Sequence, residues 1–210
     1  MSKYARLQAG STCAEMRVGY DTVSEGSRSM DEEMNDRRLS TGYVQVYTGD
    51  GKGKTTAALG LALRASGHGL RTYVGQFMKG QQYGELDALR DHPWITIEQY
   101  GDVRCIRREE VTPEHVAQAR RGLERAREAM RSGRYDIVVL DEVNVAIWFG
   151  LLAVEEVLAL LDQRPERVEV ILTGRRAPQE LMERADLVTE MREIKHYYQQ
   201  GVVARDGIER

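Results

Sequence analysis

The sequence predicts an α/β protein with a doubly wound, mainly parallel sheet and helices on both faces. Strand-like and helix-like segments alternate from Tyr43 onward, the pattern of a sheet built from crossover units. YDIVVLD, Tyr135 to Asp141, is a nearly continuous apolar run, as a strand buried on both faces requires. After Thr112-Pro113-Glu114, the residues Val116, Ala119, Leu123, Ala126 and Met130 recur at three- and four-residue steps, so one stripe of a long helix covers a sheet face.

The remaining elements follow in order. GYVQVYT is a short strand running into a glycine loop, and Thr55 to Ala65 is a helix apolar on most sides. Leu70 to Phe77 is a second strand, Glu85 to Arg90 a short helix, and Trp94 to Tyr100 a third strand with Ile95 and Ile97 alternating. Gly67, Gly69 and His92-Pro93 punctuate these segments. Val154 to Leu161 is a helix, Val168 to Thr173 a strand, Pro178 to Arg184 a short helix, and Leu187 to Met191 a last strand.

Composition sets the bounds. The 210 residues suit one sizeable core, with residues 41–210 as the domain. Residues 1–40 are poor in aliphatics and carry the mixed run MDEEMNDRR, so they read as a polar arm, either disordered or folding over a site. A net charge of −3 implies no nucleic-acid partner. No apolar run reaches the ~18 residues of a membrane span, and the N-terminus lacks a signal-peptide core, so the expected compartment is the cytoplasm. Cys13 and Cys105 read as free thiols, and the four histidines are too scattered for a zinc cluster.

The chemistry concentrates in TGDGKGKT, Thr48 to Thr55. It fits the phosphate-loop pattern G-x-x-x-x-G-K-[ST] except that Thr48 takes the first glycine's place. Glycines let successive backbone N–H groups approach phosphate oxygens while the following helix aims its positive end at the same point. Lys54 adds a point charge and Thr55 a hydroxyl for Mg²⁺, so a polyphosphate is the anion that uses every part. A hydroxyl alone does not hold Mg²⁺, and nucleotide sites on parallel sheets find the second donor at a strand's carboxyl end. IVVLDEVN supplies Asp141 and Glu142 there, the other reading being an acidic pair that caps a helix or faces solvent.

TGDGKGKTTAALGLALRASGHG, VGQFMKG, VVLDEVN, RPERVEVILTGR and KHYYQQGVVARDGIE, in that order, resemble the phosphate-loop ATP:corrinoid adenosyltransferases from about Tyr43 to Glu209. That resemblance implies a RecA-like P-loop NTPase fold, a homodimer, and transfer of the 5′-deoxyadenosyl group of ATP to Co(I) of a reduced corrinoid. Triphosphate is released, and the reaction serves adenosylcobalamin synthesis or salvage. It further implies ATP as co-substrate, Mg²⁺ or Mn²⁺ as the ion, and an electron-donating flavoprotein reductase as partner. Co(I) is itself a strong nucleophile, so the protein's tasks are placement and charge, with Lys54, Thr55 and Glu142 carrying the catalysis. Thr55, Asp141 and Glu142 are the implied metal ligands. Gly49, Asp50, Gly51, Lys52, Gly53, Lys54, Thr55, Thr56, Arg64 and Arg175 are the implied nucleotide contacts. Lys195 and His196 are placed near the site, and for Arg64 and His196 an ordinary surface role stays open.

The acceptor side departs from the family. Some members carry a G-F-x-W-like string that shields the lower corrin face, and the corresponding stretch here is YGDVRCIRREE. Either Ile106, or Trp148 and Phe149, shield the cobalt, or the acceptor is a precursor without a nucleotide loop. Met16, Val18 and Tyr20 are possible anchors should the arm cover that side. Two other classes share the loop: a thymidine-kinase-like kinase, whose zinc cysteines are missing here, and a switch-type ATPase, whose second-position lysine is Gly49 here.

Overall fold

A computed structural model describes residues 38–210. Its six strands form one all-parallel sheet in the order β3-β2-β4-β5-β1-β6. The strands are β1 (Val44–Thr48), β2 (Thr72–Phe77), β3 (Ile95–Tyr100), β4 (Ile137–Asp141), β5 (Glu169–Thr173) and β6 (Leu187–Glu190). The helices are α1 (Lys54–Ser66), α2 (Gly84–Ala88), α3 (Pro113–Arg131), α4 (Val143–Trp148), α5 (Val154–Leu161) and α6 (Gln179–Arg184), with 3₁₀ turns at Arg108–Glu110 and Tyr197–Gln200. β5 lies between the loop strand β1 and the acidic strand β4, the RecA-like arrangement of a P-loop fold.

Side chains that alternate along each strand make two cores. Val44, Val46, Val138, Leu140, Val170 and Leu172 face the layer formed by α3, α4, α5 and α6. Tyr47, Val74, Ile137, Val139 and Ile171 face the opposite way, against Ala58, Ala62 and Ala65 of α1. The small alanines let α1 sit close to the sheet, which fixes where its N-terminus points. β4 is buried at all five positions, matching its unbroken apolar run. β6 at the sheet edge is exposed at all four.

α3 follows its sequence signals. Thr112 caps it, Pro113 occupies the first turn where no N–H is needed, and Ala119, Leu123, Ala126 and Met130 are buried. Gly122 permits close contact with β3, since a Cβ there would lie 2.8 Å from the Tyr100 ring. α4 differs from expectation. VNVAIW is short and rich in β-branched residues, so its periodicity merges with the preceding strand, yet it folds as a helix because Glu142 turns the chain at φ 62°. Of the polar arm, residues 1–37 with Cys13, Met16, Val18 and Tyr20 lie outside the described residues.

Candidate nucleotide and metal site

The loop between β1 and α1 depends on its glycines. Gly49 and Gly53 take φ values of +92° and +112°, where a side chain is strained. A Cβ on Gly51 would lie 2.6 Å from the Met191 carbonyl oxygen. That oxygen accepts the Gly51 N–H at 2.6 Å, so the chain leaving β6 braces the loop from behind. Among the described residues α1 begins without a side-chain cap or an acidic residue in its first turn, leaving its positive end free for an anion.

Lys54 is buried, and its ammonium donates to the carbonyls of Gly49 at 2.7 Å and Gly51 at 2.6 Å. Burial holds its pKa below the usual lysine value, and Arg175 adds to this, while Glu142, Asp50 and Asp141 oppose it. Thr55 donates its hydroxyl to Asp141 Oδ1 at 2.8 Å, joining the end of the loop to the end of β4.

Asp141 is enclosed. Besides Thr55, it accepts Thr173 Oγ1 at 2.7 Å, Gln76 Nε2 at 3.3 Å and Lys79 Nζ at 2.9 Å. Glu142 is placed differently. Its left-handed backbone donates its N–H to Thr173 Oγ1 at 3.0 Å and sends the carboxylate into the cavity, where it makes no hydrogen bond or ion pair among the described residues. Burial pushes this carboxyl above the ordinary glutamate value and Asp141 adds to it, while Lys79, Lys54 and Arg175 pull it back only in part.

A cavity of about 880 Å³ opens over these groups. Its floor is Gly51 to Thr56, one wall is α1 through Leu59 and Leu63, and the other holds Glu142, Arg175 and His196. Gly207 to Arg210 form the far side. Lys52 reaches across to that C-terminal segment, donating to the Ile208 carbonyl at 2.7 Å and pairing with Glu209 at 3.2 Å. The volume lies within the roughly 300–1,000 Å³ typical of small-molecule sites.

The expected nucleotide contacts divide accordingly. Gly51, Lys52, Gly53, Lys54, Thr55, Thr56 and Arg175 line the cavity, and Glu142 lines it with them. Gly49 and Asp50 do not line the cavity; Gly49 turns the loop at positive φ and Asp50 is exposed. Arg64 is not brought to the cavity. It lies in the last turn of α1, about 15 Å along the axis from Lys54 at 1.5 Å per residue, and is exposed. Lys195 is also exposed and away from the lining, whereas His196 lines it with Nδ1 accepting the Tyr198 N–H at 3.1 Å.

Sequence reasoning missed Gln76, Lys79 and Thr173, which complete the surroundings of Asp141. The sequence carries only a faint trace of them: Gln76 is a polar residue inside a strand buried at every position, and Lys79 lies two residues past its end. Trp148, one of the residues expected to shield the acceptor, is 40% exposed and packs edge-on to Phe149. The guanidinium of Arg176 sits 4.6 Å from the Trp148 ring centre and that of Arg108 5.9 Å. Ile106 is half-buried and Cys105 is exposed with a free thiol.

The family model described as ATP:corrinoid adenosyltransferase BtuR/CobO/CobP matches residues 40–210. The chain is 39% identical over 178 residues to the corrinoid adenosyltransferase of Sinorhizobium sp, covering 80% of both chains. It is 36% identical over 180 residues to that of Escherichia coli (strain K12), covering 80% of this chain and 85% of the relative. It is 34% identical over 194 residues to the corrinoid adenosyltransferase of Pseudomonas aeruginosa, covering 86% of this chain and 89% of the relative.

Proposed function

The chain belongs to the ATP:corrinoid adenosyltransferase BtuR/CobO/CobP family, and on that premise we propose that it alkylates the cobalt of a reduced corrinoid with the 5′-deoxyadenosyl group of ATP. The Co(I) electron pair attacks C5′, the C5′–oxygen bond breaks, triphosphate departs, and cobalt becomes formally Co(III) in the new alkyl. The observation that carries this reading is the convergence of Lys54, Thr55, Glu142 and Arg175 on one cavity at the mouth of a phosphate loop.

Each residue then has a task. Loop N–H groups, the α1 N-terminus, Lys54 and Arg175 meet charge as it develops on the departing triphosphate. No protein nucleophile is needed, because the acceptor supplies it. Mg²⁺ is part of the proposal, with Mn²⁺ as its alternate. The donors suit such an ion: a hydroxyl on Thr55 and carboxylates on Asp141 and Glu142 are hard oxygen ligands, and a cation, the Lys79 ammonium, already lies 2.9 Å from Asp141. When bound, the ion would neutralise triphosphate charge and orient the chain of phosphates.

The proposal extends to a cytoplasmic homodimer supplied with Co(I) by a flavoprotein reductase, with residues 41–210 as the catalytic domain. No described helix is long and apolar enough to cross a membrane. The test is an anaerobic assay with ATP, Mg²⁺ and chemically reduced corrinoid. It should yield a light-sensitive cobalt–carbon bond and triphosphate. ADP without an alkyl product would place the chain among the kinases or switch ATPases instead.

A further inference from the structure

Lys79 has no task in the proposed reaction, yet it lines the cavity and is tightly held there. It follows β2, where Met78 takes a left-handed φ of 61°, unusual for a residue with a side chain. Two glycines then press the chain against its neighbour. A Cβ on Gly80 would lie 2.4 Å from the Gly101 carbonyl oxygen, and one on Gly101 would lie 2.4 Å from the Lys79 nitrogen. The segment is therefore held at a fixed height over the end of β4.

From that height the Lys79 side chain, only 14% exposed, reaches Asp141 Oδ2 at 2.9 Å, with Thr55 Oγ1 at 3.5 Å and Glu85 Oε1 at 3.8 Å. The Tyr83 ring lies 5.1 Å from its ammonium. Thr55 and Asp141 are the very pair that would hold a divalent ion. An ammonium and a metal ion cannot both occupy the space between one hydroxyl and one buried carboxylate, because each needs the same lone pairs and like charges repel.

We propose that Lys79 is a resident counter-ion for Asp141 that excludes free metal from the nucleotide-free protein, and that it transfers to the triphosphate when metal arrives with ATP. A buried carboxylate without a cation is costly, so the protein needs one in both states. Lys79 supplies it first and the metal afterward, and the displaced ammonium finds its next anion in the same cavity. Metal and nucleotide then load together rather than metal first. The inference rests on the nucleotide-and-metal part of the proposed function and not on the acceptor.

The test uses the full chain and Mn²⁺ binding followed by electron paramagnetic resonance, with no corrinoid present. Wild type should bind Mn²⁺ weakly alone and tightly with ATP. Lys79→Gln should bind Mn²⁺ alone about tenfold more tightly than wild type or better, and Lys79→Arg, which keeps the charge, should stay weak. Added Mn²⁺ should raise the melting temperature of Lys79→Gln, while wild type stays unmoved. If Lys79→Gln unfolds without metal, recovery of its fold on adding Mn²⁺ is the same result. Equal Mn²⁺ affinity in wild type and Lys79→Gln, or no such recovery, overturns the proposal. Failure of wild type to bind Mn²⁺ with ATP would instead overturn the nucleotide-and-metal reading beneath it.

Discussion

The phosphate loop and the strip at residues 101–111 are built by different means. At the loop end the main chain and short side chains do the holding. Gly51 is hydrogen-bonded to Met191, Thr55 to Asp141, and Asp141 to Thr173, all within 2.8 Å. Asp141 and Thr173 end β4 and β5, Met191 follows β6, and the loop follows β1 between them, so the sheet sets their spacing. The strip at 101–111 is tied instead by single side-chain contacts, such as His115 to Asp102 at 3.5 Å and the Arg107 N–H to Glu110 at 2.7 Å. Most of it is exposed. The loop end is therefore the rigid one, its spacing set by the sheet, whereas the strip depends on longer side chains.

If that division is right, the largest effect should come from the charge at the centre of the loop. Lys54→Ala removes the ammonium that spans Gly49 and Gly51, and should lower kcat/KM for ATP about 10²- to 10³-fold, the usual loss for one preorganised group facing developing charge. The circular dichroism spectrum should stay as in wild type, because the core contacts of α1 come from Ala58, Ala62 and Ala65. An unchanged rate would contradict the assignment of the loop and erase the comparison.

Glu142→Gln tests whether the cavity carboxylate belongs to the rigid end. Half-maximal activity should need about tenfold more Mg²⁺. Stability gives a second measure. Burial and Asp141 raise the Glu142 pKa in the folded protein above 4.5, so the carboxyl binds its proton more tightly folded than unfolded. Its contribution is therefore whole below pH 4.5 and is lost as pH climbs through the raised value. In metal-free denaturant titrations, the variant should gain on wild type as pH rises through that window. A constant difference across it would show that Glu142 is solvated like a surface carboxylate.

The same contrast decides what could be read before the structure. Gly53, Lys54 and Thr55 were legible because a phosphate cradle dictates residue types at fixed spacing, and Asp141 because it ends an apolar run. α3 was legible because one stripe of apolar residues needs one sheet face. Lys79, Gln76 and Thr173 were not, since their shared partner is 62, 65 and 32 residues away and only the strand order β2-β4-β5 brings them together. Arg64 shares the motif-bearing helix, but its distance down that helix keeps it off the cavity lining. α4 was hidden by its own brevity, and with it the position of Trp148.

The smallest effect belongs to the turn after β5, at the border of the rigid end. Gly174 at φ 128° and Arg176 at φ 56° turn the chain so that Arg175 faces the cavity and Arg176 faces Trp148. Replacing Arg176 with glycine relieves a left-handed residue, worth about 1 kcal/mol. Against that stand the extra freedom of glycine in the unfolded chain and a lost cation–π contact, each about 0.5–1 kcal/mol. Arg176→Gly should thus leave stability equal to wild type or lower it by at most about 1 kcal/mol by denaturant titration. Because Arg175 keeps its place on the cavity wall, ATP affinity measured by calorimetry should stay within about twofold, the small change expected of a surface substitution away from the site. A larger fall would mean that the strained turn, and not Arg175 alone, holds the triphosphate. The rigid end would then reach one residue farther than its hydrogen bonds suggest.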